Sequence, residues 1–287
     1  MRVTQSMISS NLLRNISNNY SELNKYMNQL QTGKKITRIS EDPLVAIKGI
    51  GHRTEVSRVQ QYRRNLNEVQ NWFDNTDSAL DKATSAMQRL RELAIQASNG
   101  TNDDNELESI RMEAEQLKLH LIDIVNTNVN DKYIFNGTNT DNPPFQEGAE
   151  FPTFDENPVL IPIADETTLK ANINGKEVFD DVFTAVDHFI EALENDGDLS
   201  SSISELDNGI NSIINARADL GARMNRLELI DNRLSEQEIL ATKSLSENED
   251  VDFAEAITNL ITQESIHRAA LAAGSRIIQP TLIDFLR

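Results

Sequence analysis

The stretch VQQYRRNLNEVQNWFDNTDSALDKATSAMQRLRELAIQA, residues 59–97, decides the fold. Its apolar residues recur at alternating steps of three and four, and Thr76 is the single polar member of the series. The series is Val59, Tyr62, Leu66, Val69, Phe73, Thr76, Leu80, Ala83, Met87, Leu90, Ala94 and Ala97. This heptad pattern predicts a long helix with a narrow apolar seam. Because a helix cannot cover its own seam, the stretch requires partner helices.

Helices are predicted on both sides of the seam in the first half of the chain. Residues 5–31 form the first helix, and Gly33 supplies its C-terminal stop. Pro43, preceded by the cap residues 40–42, starts the long helix that contains the seam. A capping-box signal at Asp103 begins a third helix, and the short linker makes it an antiparallel neighbour of the long one.

Residues 131–180 change to a β-type pattern. Residues 132–135 and 159–163 predict two short strands, the second limited to a sheet edge by its flanking prolines. The turn Asn174-Gly175 predicts a hairpin whose second strand is 176–179. This region is therefore predicted to be a small inserted β-rich lobe.

The second half of the chain returns to helical periodicity. A short helix is predicted at 182–193, a long one at about 201–247, and a last one at about 252–278. Three charged residues lie on the seam of the long helix. They either fix its register or mark points where the seam opens to water, and we favour the second interpretation. They are Arg217, Asp231 and Glu238.

The order of the elements predicts a mainly α fold: an elongated antiparallel helical bundle or coiled coil formed by both chain halves, with a small inserted β-rich domain. The bundle is expected to be a rod on the order of 100 Å long or more. Its predicted domains are a terminal polymerisation domain, a helical rod domain and a β-rich outer domain. Their bounds are 1–42 with 250–287, 43–135 with 181–249, and 136–180.

Composition limits the function. The 287 residues carry a formal net charge of −19, so bulk nucleic-acid binding is not expected. Charge is uneven: residues 1–64 hold eleven Lys/Arg and four Asp/Glu, whereas residues 141–209 hold two Lys and seventeen Asp/Glu. The chain has no cysteine, no N-terminal apolar h-region and no run of 18 apolar residues, so we expect no thiol chemistry and no membrane partner.

Chemistry-bearing motifs are missing from the sequence. The four histidines lack metal-ligand spacing, and no phosphate-binding glycine loop or nucleophile elbow occurs. The acidic pairs Asp180-Asp181 and Asp196-Asp198 lack an EF-hand arrangement, so a solvated surface is the better interpretation. We therefore expect no enzyme, no cofactor and no metal site.

Several motifs resemble the flagellin superfamily. Residues 30–36, LQTGKKI, followed by Ser40-Glu41-Asp42-Pro43, are similar to the family's motif after the first helix. Residues 133–138, YIFNGT, with Pro143-Pro144-Phe145, and the sequences at 254–257 and 282–286 resemble the hook–filament junction members of the family. Flagellins usually have Asp-Asp-Ala-Ala-Gly where this chain has Glu-Asp-Pro, which favours the junction members.

The resemblance implies a structural subunit of the bacterial flagellum. Such subunits are secreted unfolded through the flagellar type III apparatus after binding an export chaperone. Outside the cell they form a ring of copies between the first hook-associated protein and the flagellin filament. Their terminal helices line the inner tube, and the β lobe projects outward.

The terminal helices carry apolar residues that the chain itself does not cover, so they form the predicted assembly interface. Its members are Leu12, Leu13, Ile16, Leu23, Met27, Leu30, Phe253, Ile257, Leu260, Ile261, Leu271, Ile277, Leu282, Phe285 and Leu286. Two alternatives stay open from the sequence. The chain could be a flagellin, the filament subunit itself, or an intracellular helical scaffold or signalling module, since heptads alone allow either.

Overall fold

The computed structural model describes residues 5–99, 103–146, 151–195 and 197–278. These residues form six helices and two small antiparallel sheets, which confirms the predicted mainly α fold with a small β insert. The elements are α1 Gln5–Thr32, α2 Pro43–Ser98, α3 Asp104–Val125, β1 Asn128–Val129, β2 Lys132–Tyr133, β3 Leu160–Ala164, β4 Thr167–Lys170, α4 Gly175–Glu194, α5 Leu199–Glu249 and α6 Phe253–Ile278. None of the described helices has the length and apolar content that a membrane crossing requires.

Helix ends follow the signals in the sequence. Gly33 has a φ of 72° and its N–H donates to the Gln29 carbonyl at 2.8 Å, which ends α1 as predicted. The Asp42 carboxylate accepts from the backbone N–H groups of Leu44 and Val45 at 3.0 and 3.1 Å and so caps α2. From that cap α2 runs without a break to Ser98.

The chain divides into two compact units. We call residues 59–237 the central unit, and residues 1–58 with 238–287 the terminal unit. Helices α2 and α5 each contribute one part to each unit. The domain bounds proposed from the sequence, with breaks at 42, 135, 180 and 249, stay a prediction.

The central unit is built on the predicted seam of α2. Eleven of its twelve side chains are buried, and Tyr62 packs against them partly buried. Trp72 is also buried beside the seam. Side chains from α3, α4 and α5 complete the same core, among them Ala114, Val182 and Leu220. The partner helices that the seam requires therefore come from within this chain.

Ion pairs connect α2 and α5 at three levels of the central unit. They join Arg63 to Asp231 at 3.6 Å, Asp77 to Arg217 at 3.0 Å, and Arg91 to Asp207 at 2.5 Å. Residue numbers rise along α2 as they fall along α5, so the two helices run antiparallel. Arg217 and Asp231 are partly exposed, as predicted, but their ion pairs across the helices were not predicted from the sequence.

The β insert differs from the prediction at both ends: β1, Asn128–Val129, was not predicted, and one predicted strand lies in a helix. β3 pairs with β4 antiparallel through a turn at Asp165 and Glu166, and β3 falls where an edge strand was predicted. The predicted strand at 176–179 is wrong, because these residues lie in the first turns of α4. The Asn174 side chain accepts from the Lys176 N–H at 3.1 Å and caps that helix instead of opening a hairpin turn.

Candidate assembly interface

Helices α1 and α6 form an antiparallel pair in the terminal unit. Asn19 and Gln263 are joined by a side-chain hydrogen bond of 3.3 Å, and the rings of Tyr20 and His267 lie 6.1 Å apart. Near the end of α6, a Cβ added to Gly274 would stand 2.9 Å from a methyl carbon of Leu12. The absence of a side chain at Gly274 thus leaves room for the Leu12 side chain of α1.

This unit has almost no apolar core. Among its described residues, Ala256 is the only hydrophobic side chain in the buried class, whereas the central unit contains a continuous buried cluster. Burial of apolar surface is the main source of folding free energy, so α1 and α6 gain little from each other. Their apolar side chains are available to other molecules.

The predicted interface residues fall into two groups. Leu12, Ile16, Leu23, Leu30 and Leu260 are half-buried. Leu13, Met27, Phe253, Ile257, Ile261 and Leu271 are exposed. Ile277 lies in α6, where its side chain is not described, and Leu282, Phe285 and Leu286 lie outside the described residues. Their assignment as an interface stays a prediction, but the described members lie on α1 and α6 with part or most of their surface open.

Contacts between residues 33–35 and residues 249–251 connect the end of α1 to the start of α6, and we call these contacts the clasp. The connection after α1 forms an isolated antiparallel bridge with the turn before α6, at Lys34 and Asp250. Beside it, the Val251 N–H donates to the Gly33 carbonyl at 2.9 Å, and the Lys35 N–H donates to the Glu249 carbonyl at 2.7 Å. These contacts join residues that are more than 200 positions apart in sequence.

The Glu249 side chain is the buried centre of the clasp, with 4% of the residue exposed. Its Oε1 and Oε2 accept from Nε and Nη2 of Arg53 at 2.7 and 2.8 Å, and Lys34 Nζ lies 3.5 Å from Oε2. The two-pronged Arg53 contact has the geometry in which a guanidinium holds a carboxylate most firmly. The hydrogen bond to Glu249 raises the pKa of Arg53.

A second ion pair lies at the clasp surface. Lys34 Nζ donates to Asp250 Oδ1 at 2.8 Å, and the Ser246 hydroxyl donates to the same carboxylate at 2.5 Å. The hydrogen bond to Asp250 raises the pKa of Lys34, and the one from Lys34 lowers the pKa of Asp250. Both partners therefore stay charged across the neutral pH range.

The sequence reasoning missed a second set of exposed apolar residues. Ile39, Leu44, Ile47 and Ile50 lie at the start of α2 and just before it, and Ile239 and Leu240 lie near the end of α5. The signal was present in Leu44, Ile47 and Ile50, which are three residues apart and so share a helix face. It was passed over because the heptad seam begins further along, at Val59.

The described residues contain no cluster of side chains suited to a metal ion. Within 5–99, 103–146, 151–195 and 197–278, no group of three or more His, Cys, Asp or Glu side chains could hold a metal ion. An open groove in the central unit is lined by Leu119, Ile122 and Phe145, with an ion pair between Lys118 and Asp187 at 2.5 Å. Such a lining offers packing surface and one ion pair.

Comparison with known families identifies the chain. The family model for the bacterial flagellin N-terminal helical region matches residues 3–140, and the model for the bacterial flagellin C-terminal helical region matches residues 203–286. This chain belongs to the flagellin family. Both matched regions carry helices of the terminal unit, so the α1–α6 pair and its clasp are built from the segments that the two models describe.

Within the flagellin family, full-length relatives come from two kinds of subunit. Flagellar hook-associated protein 3 of Escherichia coli K12 is 25% identical over 303 residues, covering 95% of this chain and 96% of the relative. A flagellin of Bacillus subtilis 168 is 26% identical over 294 residues, covering 95% of this chain and 94% of the relative. Sequence identity alone does not separate the two.

A solved structure of the flagellin family matches the fold. The crystal structure of Bacillus cereus FlgL is 25% identical, with a TM-score of 0.59, and covers 68% of this chain and 99% of its own. That structure corresponds to about two thirds of this chain. Its likeness supports the mainly α fold with a small β insert.

Proposed function

We propose that this chain is a structural subunit of the bacterial flagellum at the hook–filament junction. The observation that carries the proposal is the terminal unit, whose α1–α6 pair presents apolar side chains that the described part of the chain does not cover. The likeness to hook-associated protein 3 and to FlgL supports the junction position.

The physical role of the terminal helices follows from their surface. Removing one Leu, Ile or Met side chain from water stabilises an assembly by roughly 1.5 to 3 kcal/mol. Leu13, Met27, Ile257 and Ile261 are each exposed in the single chain, so docking against other subunits would bury them together. Assembly therefore supplies the burial that the α1–α6 pair lacks.

The partners follow from that position. The chain would link the first hook-associated protein on one side to flagellin on the other, with further copies of itself in the same layer. Before assembly, an export chaperone would cover the C-terminal region, and the chain would be secreted through the flagellar export apparatus. Exposed apolar residues on α6, such as Phe253 and Leu271, fit a segment that needs such protection.

The two units differ in net charge, which supports different roles for them in the assembly. By count, the terminal unit holds thirteen Lys/Arg and twelve Asp/Glu, so it is close to neutral. The central unit holds the remaining fourteen Lys/Arg and thirty-four Asp/Glu. A near-neutral, apolar unit suits close packing between subunits, whereas a strongly acidic unit suits contact with water.

Antibody labelling of isolated flagella tests the proposed position. Gold particles should mark the boundary between hook and filament and should be absent along the filament. Cells that lack the chain should retain hooks and release flagellin into the medium instead of assembling it. Labelling along the whole filament would show a flagellin and overturn the proposal.

The full-length match to the Bacillus subtilis protein is the observation behind the flagellin alternative, so that alternative needs its own test. When the purified chain is seeded with short assembled fragments of the same protein, it should not grow into filaments. Long filaments grown from this protein alone would establish the alternative. Electron microscopy of the seeded solution separates the two outcomes.

A further inference from the structure

Helix α3 flanks only part of α2 in the central unit. Arg89 of α2 and Glu113 of α3 form an ion pair at 2.8 Å, and α3 follows α2 after a short connection. The two helices therefore run antiparallel. Because α3 ends at Val125, its end lies level with about residue 77 of α2.

The start of α4 lies at nearly the same level. Lys118 of α3 pairs with Asp187 of α4 at 2.5 Å. Arg111 of α3 pairs with Glu194 of α4 at 3.4 Å, so these two helices are antiparallel as well. Gly175, the first residue of α4, then lies level with about residue 72 of α2.

The α2–α5 pair continues beyond α3 and α4, and we call this part of it the lower segment. It comprises residues 59–72 of α2 and the facing residues of α5, about 222–235, with the ion pair between Arg63 and Asp231 inside it. Its buried apolar residues are Val59, Leu66, Val69, Trp72, Leu227, Ile230 and Leu234. Because two packed helices leave one side of their seam open, a further element must cover the lower segment.

One side of the β3–β4 hairpin is apolar and packed in the core. Ile163 and Leu169 are buried and Ile161 is half-buried, and all three belong to the same core cluster as the α2 seam. Leu160 and Thr168 point to the other side by strand alternation, and both are exposed. The hairpin thus turns its apolar side to the helices.

Two hydrogen bonds attach the hairpin to α2 within the lower segment. The Tyr62 hydroxyl donates to the Asp165 carboxylate at 2.8 Å, and the Asn65 side-chain amide donates to the Pro162 carbonyl at 2.7 Å. Tyr62 and Asn65 are three residues apart, so they lie on one side of α2. Strand β3 and the hairpin turn are therefore held along that side of the helix.

A third hydrogen bond attaches the chain just after β4 to α5. Arg223 Nη1 donates to the Asn172 carbonyl at 3.1 Å. An ion pair with Asp219 at 2.5 Å also holds the Arg223 side chain. One hairpin thus bonds to two helices that come from opposite halves of the chain.

We infer that the β3–β4 hairpin is a strap, which holds α2 against α5 along the lower segment. The hairpin is then a part of the helical core, and opening it exposes Leu66 and Val69 of the seam to water. A lobe that only projected from the helices would leave the seam closed when it moved away. The strap concerns the single chain and is independent of the chain's position in the flagellum.

Hydrogen exchange of the purified full-length chain tests the strap. The variant Tyr62→Phe with Asn65→Ala removes both hydrogen bonds to α2 and keeps the apolar side of the hairpin. We expect the amides of β3–β4 and of both helices in the lower segment to exchange faster, by about fivefold for each hydrogen bond removed. Amides at 80–97 of α2 should keep the wild-type rate, because α3 and α4 flank them.

Asn75→Ala is the matched control. Asn75 Nδ2 donates to the Asn71 carbonyl of the same helix at 2.7 Å, so this variant removes a side-chain hydrogen bond of α2 that does not involve the hairpin. The amides of β3–β4 and of α5 should keep the wild-type rate in it. Lower-segment helix amides at the wild-type rate in the Tyr62→Phe, Asn65→Ala chain overturn the strap, whether or not the hairpin amides accelerate.

Removal of the hairpin gives a second measurement. The Ala171 N–H donates to the Val159 carbonyl at 2.9 Å, so the two ends of the hairpin are neighbours and an Asn-Gly turn can replace residues 160–170. We expect a lower melting temperature and faster exchange in the lower segment, with residues 80–97 still protected. A melting temperature and helix exchange equal to those of the wild type would overturn the proposal. If the shortened chain does not fold, the Tyr62→Phe, Asn65→Ala chain decides.

Discussion

Gly49 lies directly against the carboxylate of Glu249: a Cβ on residue 49 would stand 2.5 Å from Oε1 of Glu249. The carboxylate cannot easily move aside, because Arg53 holds both of its oxygens and Lys34 lies nearby. The absence of a side chain at position 49 is therefore what lets α2 close on the clasp.

Replacing Gly49 with Ala should destabilise the terminal unit by about 1 to 3 kcal/mol, the range for overpacking a close contact. The clasp should loosen, so cleavage near residues 33–37 and 249–252 should become faster. Limited proteolysis followed by mass spectrometry measures this. Cleavage at the wild-type rate in the Gly49→Ala chain would contradict the contact.

Gly51→Ala is the matched control two residues along. A Cβ at position 51 meets nothing within 4 Å, and the residue lies inside a helix. The substitution should therefore stabilise the chain by about 0.5 to 1 kcal/mol through the better helix propensity of alanine. Opposite signs for Gly49→Ala and Gly51→Ala in thermal unfolding are expected.

Glu249→Gln should weaken the clasp by about 1 to 3 kcal/mol, the range for hydrogen bonds to charged groups. The buried amide cannot accept from both Arg53 nitrogens. Hydrogen exchange at the Lys35 and Val251 amides, which bridge the clasp, should accelerate. Glu247→Gln changes the same charge at an exposed site, so those amides should keep the wild-type rate.

The acid stability of the β insert should depend on Asp155. Its carboxylate accepts first from the Thr138 hydroxyl, and then from the N–H groups of Asn157 and Thr138, which lowers the pKa of Asp155 to about 2. A lowered pKa gives stability that is full above the unfolded value of 3.8 and is lost as the pH falls toward 2.

Asp155→Asn should therefore flatten the loss of stability between pH 4 and pH 2, measured as melting temperature against pH. The variant should also melt lower than the wild type at neutral pH. Asp123→Asn, at an exposed position of α3, is the comparison. Equal slopes in the Asp155→Asn chain and the wild type would show that the carboxylate contributes nothing.

The apolar surface of α6 should matter for assembly more than for folding. Ile261→Asp changes an exposed residue, so the free energy of unfolding should change by about 0.5 kcal/mol or less. Placing a charge in a buried contact between subunits should prevent incorporation at the hook–filament boundary.

Two control variants are compared with Ile261→Asp. Thr262→Asp introduces the same charge at the neighbouring exposed position, and Leu80→Ala removes core volume at a fully buried one. Leu80→Ala should cost about 2 to 5 kcal/mol in unfolding. Normal motility of the Ile261→Asp strain would argue against an interface on this part of α6.

The sequence predicted what local pattern determines. The seam from Val59 to Ala97 is buried because a heptad repeat forces its members onto one helix face. Asp42 caps α2 because a short carboxylate before a proline satisfies the first free N–H groups. Both features depend on residues a few positions apart.

Features that depend on distant residues were not predictable. Asn174 was interpreted as a hairpin turn because Asn-Gly is a strong turn signal, but the apolar period of Val178, Val182 and Phe189 places α4 there. The contact of Gly49 with Glu249 joins positions 200 apart and depends on the register of α2 against α5. A single sequence contains no signal for that register.

The central claim is that α1 and α6 serve other subunits and contribute little to the chain's own core. Thermal unfolding of residues 33–252, measured by circular dichroism beside the full-length chain, tests it most directly. Because the buried cluster lies within 59–234, the account predicts a cooperative transition at nearly the same temperature in both. A truncated chain that unfolds without cooperativity, or far below the full-length protein, would contradict it.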